Sequence, residues 1–106
     1  MADVEYGPHF VWDAVKAAQN LRKHRVSFPE ATEVFLDAEG RVAFDAAHSE
    51  SEDRWAILGE SNRGRLLMVV FVDVGDRIRI ISAWRATKRE SNEYYQQAVK
   101  TDSSDE

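Results

Sequence analysis

Arginines recur at every second position through Arg77-Ile78-Arg79-Ile80-Ile81-Ser82-Ala83-Trp84-Arg85, just ahead of Thr87-Lys88-Arg89-Glu90. A guanidinium grips an oxyanion through two parallel N–H donors, so this spacing on a strand describes an anion-facing surface. Regular alternation puts Arg77, Arg79, Ile81, Ala83 and Arg85 on one face and Ile78, Ile80, Ser82 and Trp84 on the other. A bulge near Ala83 would change that parity. From Arg63 to Arg89 there are seven basic and two acidic residues, a formal +5 inside a chain of net charge −5. A local cationic face on an acidic protein points to a polyanion site. The plainer alternative is a solvated strand face paired with acids from elsewhere in the chain.

The elements that must position these side chains follow from periodicity and caps. Residues 1–9 read as a flexible tail ending at Gly7-Pro8. Phe10-Val11-Trp12 leads into a helix with Asp13 as N-cap. Ala14, Ala17, Ala18 and Leu21 form its apolar stripe, with Lys16, Asn20 and Lys23 opposite and His24 at the stripe's edge. Ser27-Phe28-Pro29-Glu30 is a capping box opening a short second helix. Strands are expected at 41–45, 54–59, 66–72 and 77–84, the last three joined by turns at Asn62-Arg63-Gly64 and Gly75-Asp76. Thr87-Lys88-Arg89-Glu90 caps a final helix, with Tyr94 and Tyr95 along its packed side. The expected fold is α+β: two N-terminal helices, a four-stranded antiparallel meander and a C-terminal helix. One domain spans residues 10–100, followed by an acidic disordered tail at 101–106.

Composition narrows the function. With 106 residues and 43% hydrophobic content, the chain can bury one ordinary core. It has no cysteine, so neither disulfides nor a thiolate zinc site is available. The start is acidic, without the apolar core of a signal peptide. The longest apolar run, Leu66 to Val72, is far too short to span a bilayer. A cytoplasmic protein that avoids membranes is the expectation. The negative total argues against nucleic-acid binding by the whole surface but leaves room for a focused basic cleft. Asp45, His48, Glu50, Glu52 and Asp53 offer oxygen ligands and one imidazole without a second histidine, so neither a metal nor another cofactor is expected.

Several segments together resemble one family. Phe10-x-Trp12-Asp13-x-x-Lys16-x-x-x-Asn20-x-x-Lys23-His24-x-Val26-x-Phe28 is similar to the opening signature of the BrnT toxins. So are Arg54-Trp55, Ser61-x-x-Gly64-Arg65-Leu66, and Arg77 through Thr87 with Glu90 and Tyr94. The likeness covers residues 10–98. Two positions depart from it: Arg25 stands where the family pattern has Gly, and Trp84 where it more often has a basic residue.

The resemblance implies a bacterial type II toxin of RelE-like fold that cleaves RNA and arrests growth. It implies a ribbon-helix-helix antitoxin as partner, operator DNA bound only through that antitoxin, and an assembly such as a dimer of heterodimers. Metal-free RNA cleavage needs a base for the 2′-hydroxyl, cations on the crowded phosphate and an acid for the leaving oxygen. Arg65, Arg79 and Arg85 suit the phosphate. Lys23 suits a base or a phosphate ligand, and His24 an acid or a base. Trp84 offers a face on which a base can stack. Each has a structural alternative: helix termination for His24, dipole complementation for Lys23, solvation for Arg65 and core packing for Trp84. The departures at Arg25 and Trp84 motivate a second reading, a toxin-like binding module that has lost cleavage and acts as a corepressor.

Overall fold

The structure, a computed structural model, describes residues 2–104. It contains β1 (Asp3–Tyr6), β2 (Phe10–Asp13), α1 (Ala14–His24), α2 (Phe28–Glu33), β3 (Arg41–Phe44), β4 (Trp55–Glu60), β5 (Leu66–Asp73), β6 (Ile78–Arg85) and α3 (Lys88–Ser104). A 3₁₀ turn, Val34–Leu36, extends α2.

The caps form as the residue types dictate. Asp13 accepts from the N–H of Val15 at 2.8 Å and of Lys16 at 3.0 Å. Thr87 and Glu90 make a reciprocal box, at 2.8 and 3.2 Å. Ser27 accepts from the Glu30 N–H at 3.2 Å, but the Glu30 carboxylate turns elsewhere. Arg25 ends α1 in the left-handed region, φ 60° and ψ 29°. A Cβ in that region costs roughly 1 kcal/mol.

The sheet differs from the expected four-stranded meander. It has six strands in the order β1-β2-β6-β5-β4-β3, and β2 runs parallel to β6. The helices α1 and α2 therefore follow a β1–β2 hairpin instead of opening the fold. The segment read as a loose tail supplies β1, paired antiparallel with β2 from Asp3↔Asp13 to Tyr6↔Phe10. The reason lies in Phe10–Asp13. These four residues abut a helix cap and read as a lead-in, yet burial of Val11 and of Trp12, only 4% exposed, makes them a strand. The α+β class stands. The acidic segment at 101–106 begins as a continuation of α3 through Ser104; Asp105 and Glu106 lie outside the described residues.

The helix-covered face of the sheet carries the core. Trp12, Val26, Phe28, Ala31 and Val34 pack on Ile57, Leu67, Val69, Phe71, Ile80 and Ala83. Ile80 and Ala83 both belong to it although they are three residues apart, because β6 is bulged. Val70 pairs with Ser82 and Phe71 with Ile80, leaving Ile81 without a partner on β5. The extra residue reverses side-chain parity beyond it. Arg85, two residues past Ala83, thus lies on the helix-covered side, while Arg79 lies on the opposite one. The expectation that these two arginines share a face is corrected by that bulge.

Candidate nucleic-acid interface

Pairing of β2 with β6 stops after Phe10↔Ile78 and Val11↔Arg79, because the chain enters α1 at Ala14. The remaining edge of β6 is left without a strand, and α1 lies along it. Asn20 closes that edge. Its Nδ2 donates to the Ala83 carbonyl at 2.8 Å, and its Oδ1 accepts from the Ala83 N–H at 3.0 Å. A third bond, Nδ2 to the Val26 carbonyl at 3.0 Å, ties in the chain after the helix. Ala17, Asn20 and His24 thus form the inward stripe, whereas Leu21 is 49% exposed. The helical wheel had placed Asn20 on the outside. A helix set against a strand edge must satisfy backbone N–H and C=O groups, so it turns a polar side chain inward where a helix on a sheet face would turn an apolar one.

One turn beyond Asn20 comes His24, and one residue beyond Ala83 comes Trp84. Their ring centroids lie 6.1 Å apart with the planes tilted by 46°. Lys23 and Arg85 flank this pair in sequence. Both are exposed, and neither makes an ion pair among the described residues. Arg22, Lys23 and His24 fill the last turn of α1, where cations complement the helix dipole. At this end of the molecule His24 and Trp84 meet; Lys23 and Arg85 are their neighbours in sequence, and Arg85 leaves β6 on the opposite face from Trp84.

Arg65 reaches the same end but is already engaged. Its Nε donates to Oε2 of Glu30 at 2.9 Å, and its Nη2 donates to Oε1 of the same carboxylate and to the Arg25 carbonyl at 3.2 Å. Ser61 Oγ adds a bond to Glu30 Oε2 at 2.8 Å. The Arg65 guanidinium holds the buried Glu30 carboxyl below its ordinary value, outweighing the upward push of burial, with Ser61 helping. The same pairing raises Arg65. Glu30 is the residue that its capping-box spacing concealed: the box predicted a local role, and no sequence signal pointed across to the β4–β5 hairpin.

Arg79 is not part of this cluster. It sits six residues from Arg85, roughly 20 Å along a strand at ~3.3 Å per residue, and its Nη1 is 3.5 Å from Asp3 Oδ1. Arg77 pairs with Glu5 at 3.2 Å. For these two arginines the plainer alternative holds: acids from elsewhere in the chain, on β1, face the cationic strand. Among the described residues no three histidine, aspartate or glutamate side chains converge as a metal site requires. None of the described helices is long and apolar enough to cross a membrane.

The molecule is an α+β domain with two exposed cations, Lys23 and Arg85, next in sequence to a histidine–tryptophan pair. The comparison with known families is specific. The family model of BrnT, the ribonuclease toxin of type II toxin–antitoxin systems, matches residues 12–90, and the chain belongs to this family. Membership gives it a cognate antitoxin as partner. Among solved structures, the chain is similar to the 1.1 Å crystal structure of the Brucella abortus ribonuclease toxin BrnT, with 29% identity and a TM-score of 0.58 over 73% of this chain and 94% of that one. No curated protein sequence matches it.

Proposed function

We propose that this toxin is a metal-independent endoribonuclease whose reacting centre is the end of α1 against the end of β6. The observation that carries the proposal is the His24–Trp84 contact, flanked in sequence by Lys23 and Arg85, which are exposed and make no ion pair among the described residues. Trp84 stacks on a base of the RNA, worth about 1–3 kcal/mol, and sets the neighbouring phosphate before His24. A base, Lys23 or His24, takes the proton of the 2′-hydroxyl. The 2′-oxygen bonds to phosphorus, the bond from phosphorus to the 5′-oxygen breaks, and the other residue of the pair gives that oxygen its proton. The products are a 2′,3′-cyclic phosphate and a 5′-hydroxyl. Arg85 stabilises the charge that builds on the phosphate oxygens. Our assignment leaves Arg79 outside the reacting centre.

In the cell, this activity arrests growth until a ribbon-helix-helix antitoxin binds. The complex, a dimer of toxin–antitoxin heterodimers, represses its own operon through the antitoxin's DNA-binding domain, in the cytoplasm. The test uses toxin separated from its antitoxin and incubated with RNA in excess chelator. Cyclic-phosphate ends should form, and Lys23→Ala, His24→Ala or Arg85→Ala should slow their formation about 100-fold or more without loss of fold. Intact RNA at every toxin concentration, with the operon still repressed by the complex, supports instead a binding module that has lost cleavage. Cutting that requires an added divalent cation refutes the metal-free route.

A further inference from the structure

The cationic end contains one guanidinium that does not face outward. Arg65 leaves the β4–β5 hairpin and runs under the C-terminus of α1, where it meets the 5%-exposed Glu30. Glu30 lies on α2, directly after the turn that ends α1. Two of the groups that Arg65 joins therefore flank one short segment, residues 25–30. One is the carbonyl of Arg25, the residue in the left-handed conformation, and the other is the Glu30 carboxylate. Ser61, at the start of the same hairpin, binds that carboxylate too. The turn carrying Lys23 and His24 is thus pinned from below by the β4–β5 hairpin. On the other side, Asn20 ties the same helix to Ala83, and through its Val26 bond to the same turn.

We infer that Glu30 and Arg65 are positioning residues: they fix the left-handed turn at Arg25 so that His24, with Lys23 beside it in the same turn, stands against Trp84 at the RNA-cleaving end. A phosphate ligand needs free donors, and Arg65 commits its Nε and one Nη nitrogen to Glu30 and to Arg25. A bidentate carboxylate–guanidinium pair fixes geometry as well as distance, which a lone lysine cannot do. Glu30 reaches neither an RNA-facing surface nor the ring pair. It acts only through Arg65 and the turn. This rests on the proposed site for its functional consequence, and on the hydrogen-bond geometry for its structural one.

The experiment compares wild type with Glu30→Gln, Arg65→Lys and the double variant, using three readouts. In RNA cleavage, each single variant should lose about 100-fold in kcat, the cost of a misplacement near 1 Å, while KM stays within about twofold. The double variant should be no worse than the weaker single. The salt dependence of RNA binding should keep its slope, because no phosphate contact is removed. A phosphate-gripping Arg65 predicts instead a raised KM, a slope smaller by about 0.7, and a Glu30→Gln variant with wild-type kcat; that pattern overturns the inference. The third readout needs no cleavage: the Trp84 indole N–H resonance, assigned with Trp84→Phe, should move in both variants, while the Trp55 indole on the far side of the sheet stays in place and certifies the fold. An unmoved Trp84 resonance in folded Glu30→Gln refutes the positioning role. If wild type cuts no RNA, the reaction proposal fails alone, and the resonance still decides this one.

Discussion

Asn20 does for Ala83 what a neighbouring strand does elsewhere in the sheet. One side-chain amide accepts the Ala83 N–H at 3.0 Å and donates to its carbonyl at 2.8 Å, and so α1 can lie along a strand edge. This pair sets the whole helix in register. His24 follows one turn later on the same face and meets Trp84, the next residue on β6. The site's geometry is thus anchored by a buried polar contact that has no chemistry of its own.

Replacing Asn20 with the similar-sized Leu should expose the value of that contact. The Ala83 N–H and C=O and the Val26 C=O would remain buried without these partners. Each buried orphan costs about 1–3 kcal/mol, and the three share one loss. An overall destabilisation of about 3–5 kcal/mol is expected, read as a lowered urea midpoint with an unchanged slope. A loss below about 1 kcal/mol would mean that water or a shifted helix satisfies the strand edge.

Arg25 offers the opposite sign. It is the non-glycine residue with positive φ among those described, at φ 60°, a conformation that favours Gly. Arg25→Gly relieves the Cβ strain at some cost in unfolded-chain entropy, for a net gain of about 0.5 kcal/mol. For a domain of this size that raises Tm by about 2–4 °C. The carbonyl bond to Arg65 survives, since it belongs to the backbone. A drop in Tm would show that the Arg25 side chain contributes something beyond its conformation.

The sequence carried the local chemistry of this fold better than its long-range pairing. Asp13, Ser27 and Thr87 announce their helices because a cap is decided within three residues. The hairpin turns at Gly64 and Gly75 are legible for the same reason: both take positive φ, at 77° and 89°. The strand at Phe10–Asp13 was not legible, since its partner lies nearly seventy residues away on β6 and its four residues give no period to count. Nor was the bulge at Ile81. Four apolar or small residues in a row, Ile80 to Ala83, look the same with or without it, yet it sends Arg79 and Arg85 to opposite faces. At the site, residue types named Lys23, His24, Trp84 and Arg85 as candidates, and of these the fold sets the rings of His24 and Trp84 against each other. For Arg65 the type was equally suggestive, and only the buried partner Glu30 distinguishes an internal tie from a free guanidinium.

Acid should weaken this protein through Glu30 in particular. Its carboxyl is held below the ordinary value of 4.5 in the folded chain, so folding favours the ionised form. That contribution is complete above the unfolded value and is lost as pH falls through the lower folded value. Wild-type stability should therefore decline from about pH 4.5 downward. In Glu30→Gln the corresponding part of the slope should vanish, leaving a lower stability at pH 7 and a smaller difference from wild type at pH 3. Chemical unfolding at both pH values measures this; a difference that does not shrink on acidification would show that the pair adds no ionic stabilisation.

Tyr94 supplies the matching test close by, at the carboxylate tied to Glu60, the residue before Ser61. Its buried hydroxyl donates to Asp37 Oδ2 at 2.6 Å, the same oxygen that accepts the Glu60 N–H at 2.8 Å, while Asp37 Oδ1 accepts from the Glu39 N–H at 2.9 Å. One carboxylate thus joins α3, β4 and the turn before β3. Burial, and then donation to Asp37, push the Tyr94 hydroxyl well above its ordinary value of 10.0. Burial pushes Asp37 up, but the Tyr94 hydroxyl and the two backbone donors outweigh it, and its carboxyl ends below the ordinary 3.8. Tyr94→Phe removes one hydrogen bond to a charged acceptor, a loss of about 1.5–3 kcal/mol at neutral pH. The pH dependence follows from the two directions. The Tyr94 contribution is fully present below pH 10 and is lost as pH rises toward the folded value, so the variant should be less sensitive to alkali than wild type. It should also lose part of the acid-side stabilisation that Asp37 provides. Tyr95→Phe is the control. Its exposed hydroxyl meets Glu60 at 2.7 Å, and a solvated bond of that kind is worth about 0.5 kcal/mol. Equal losses from the two substitutions would contradict the anchoring of α3 through Asp37.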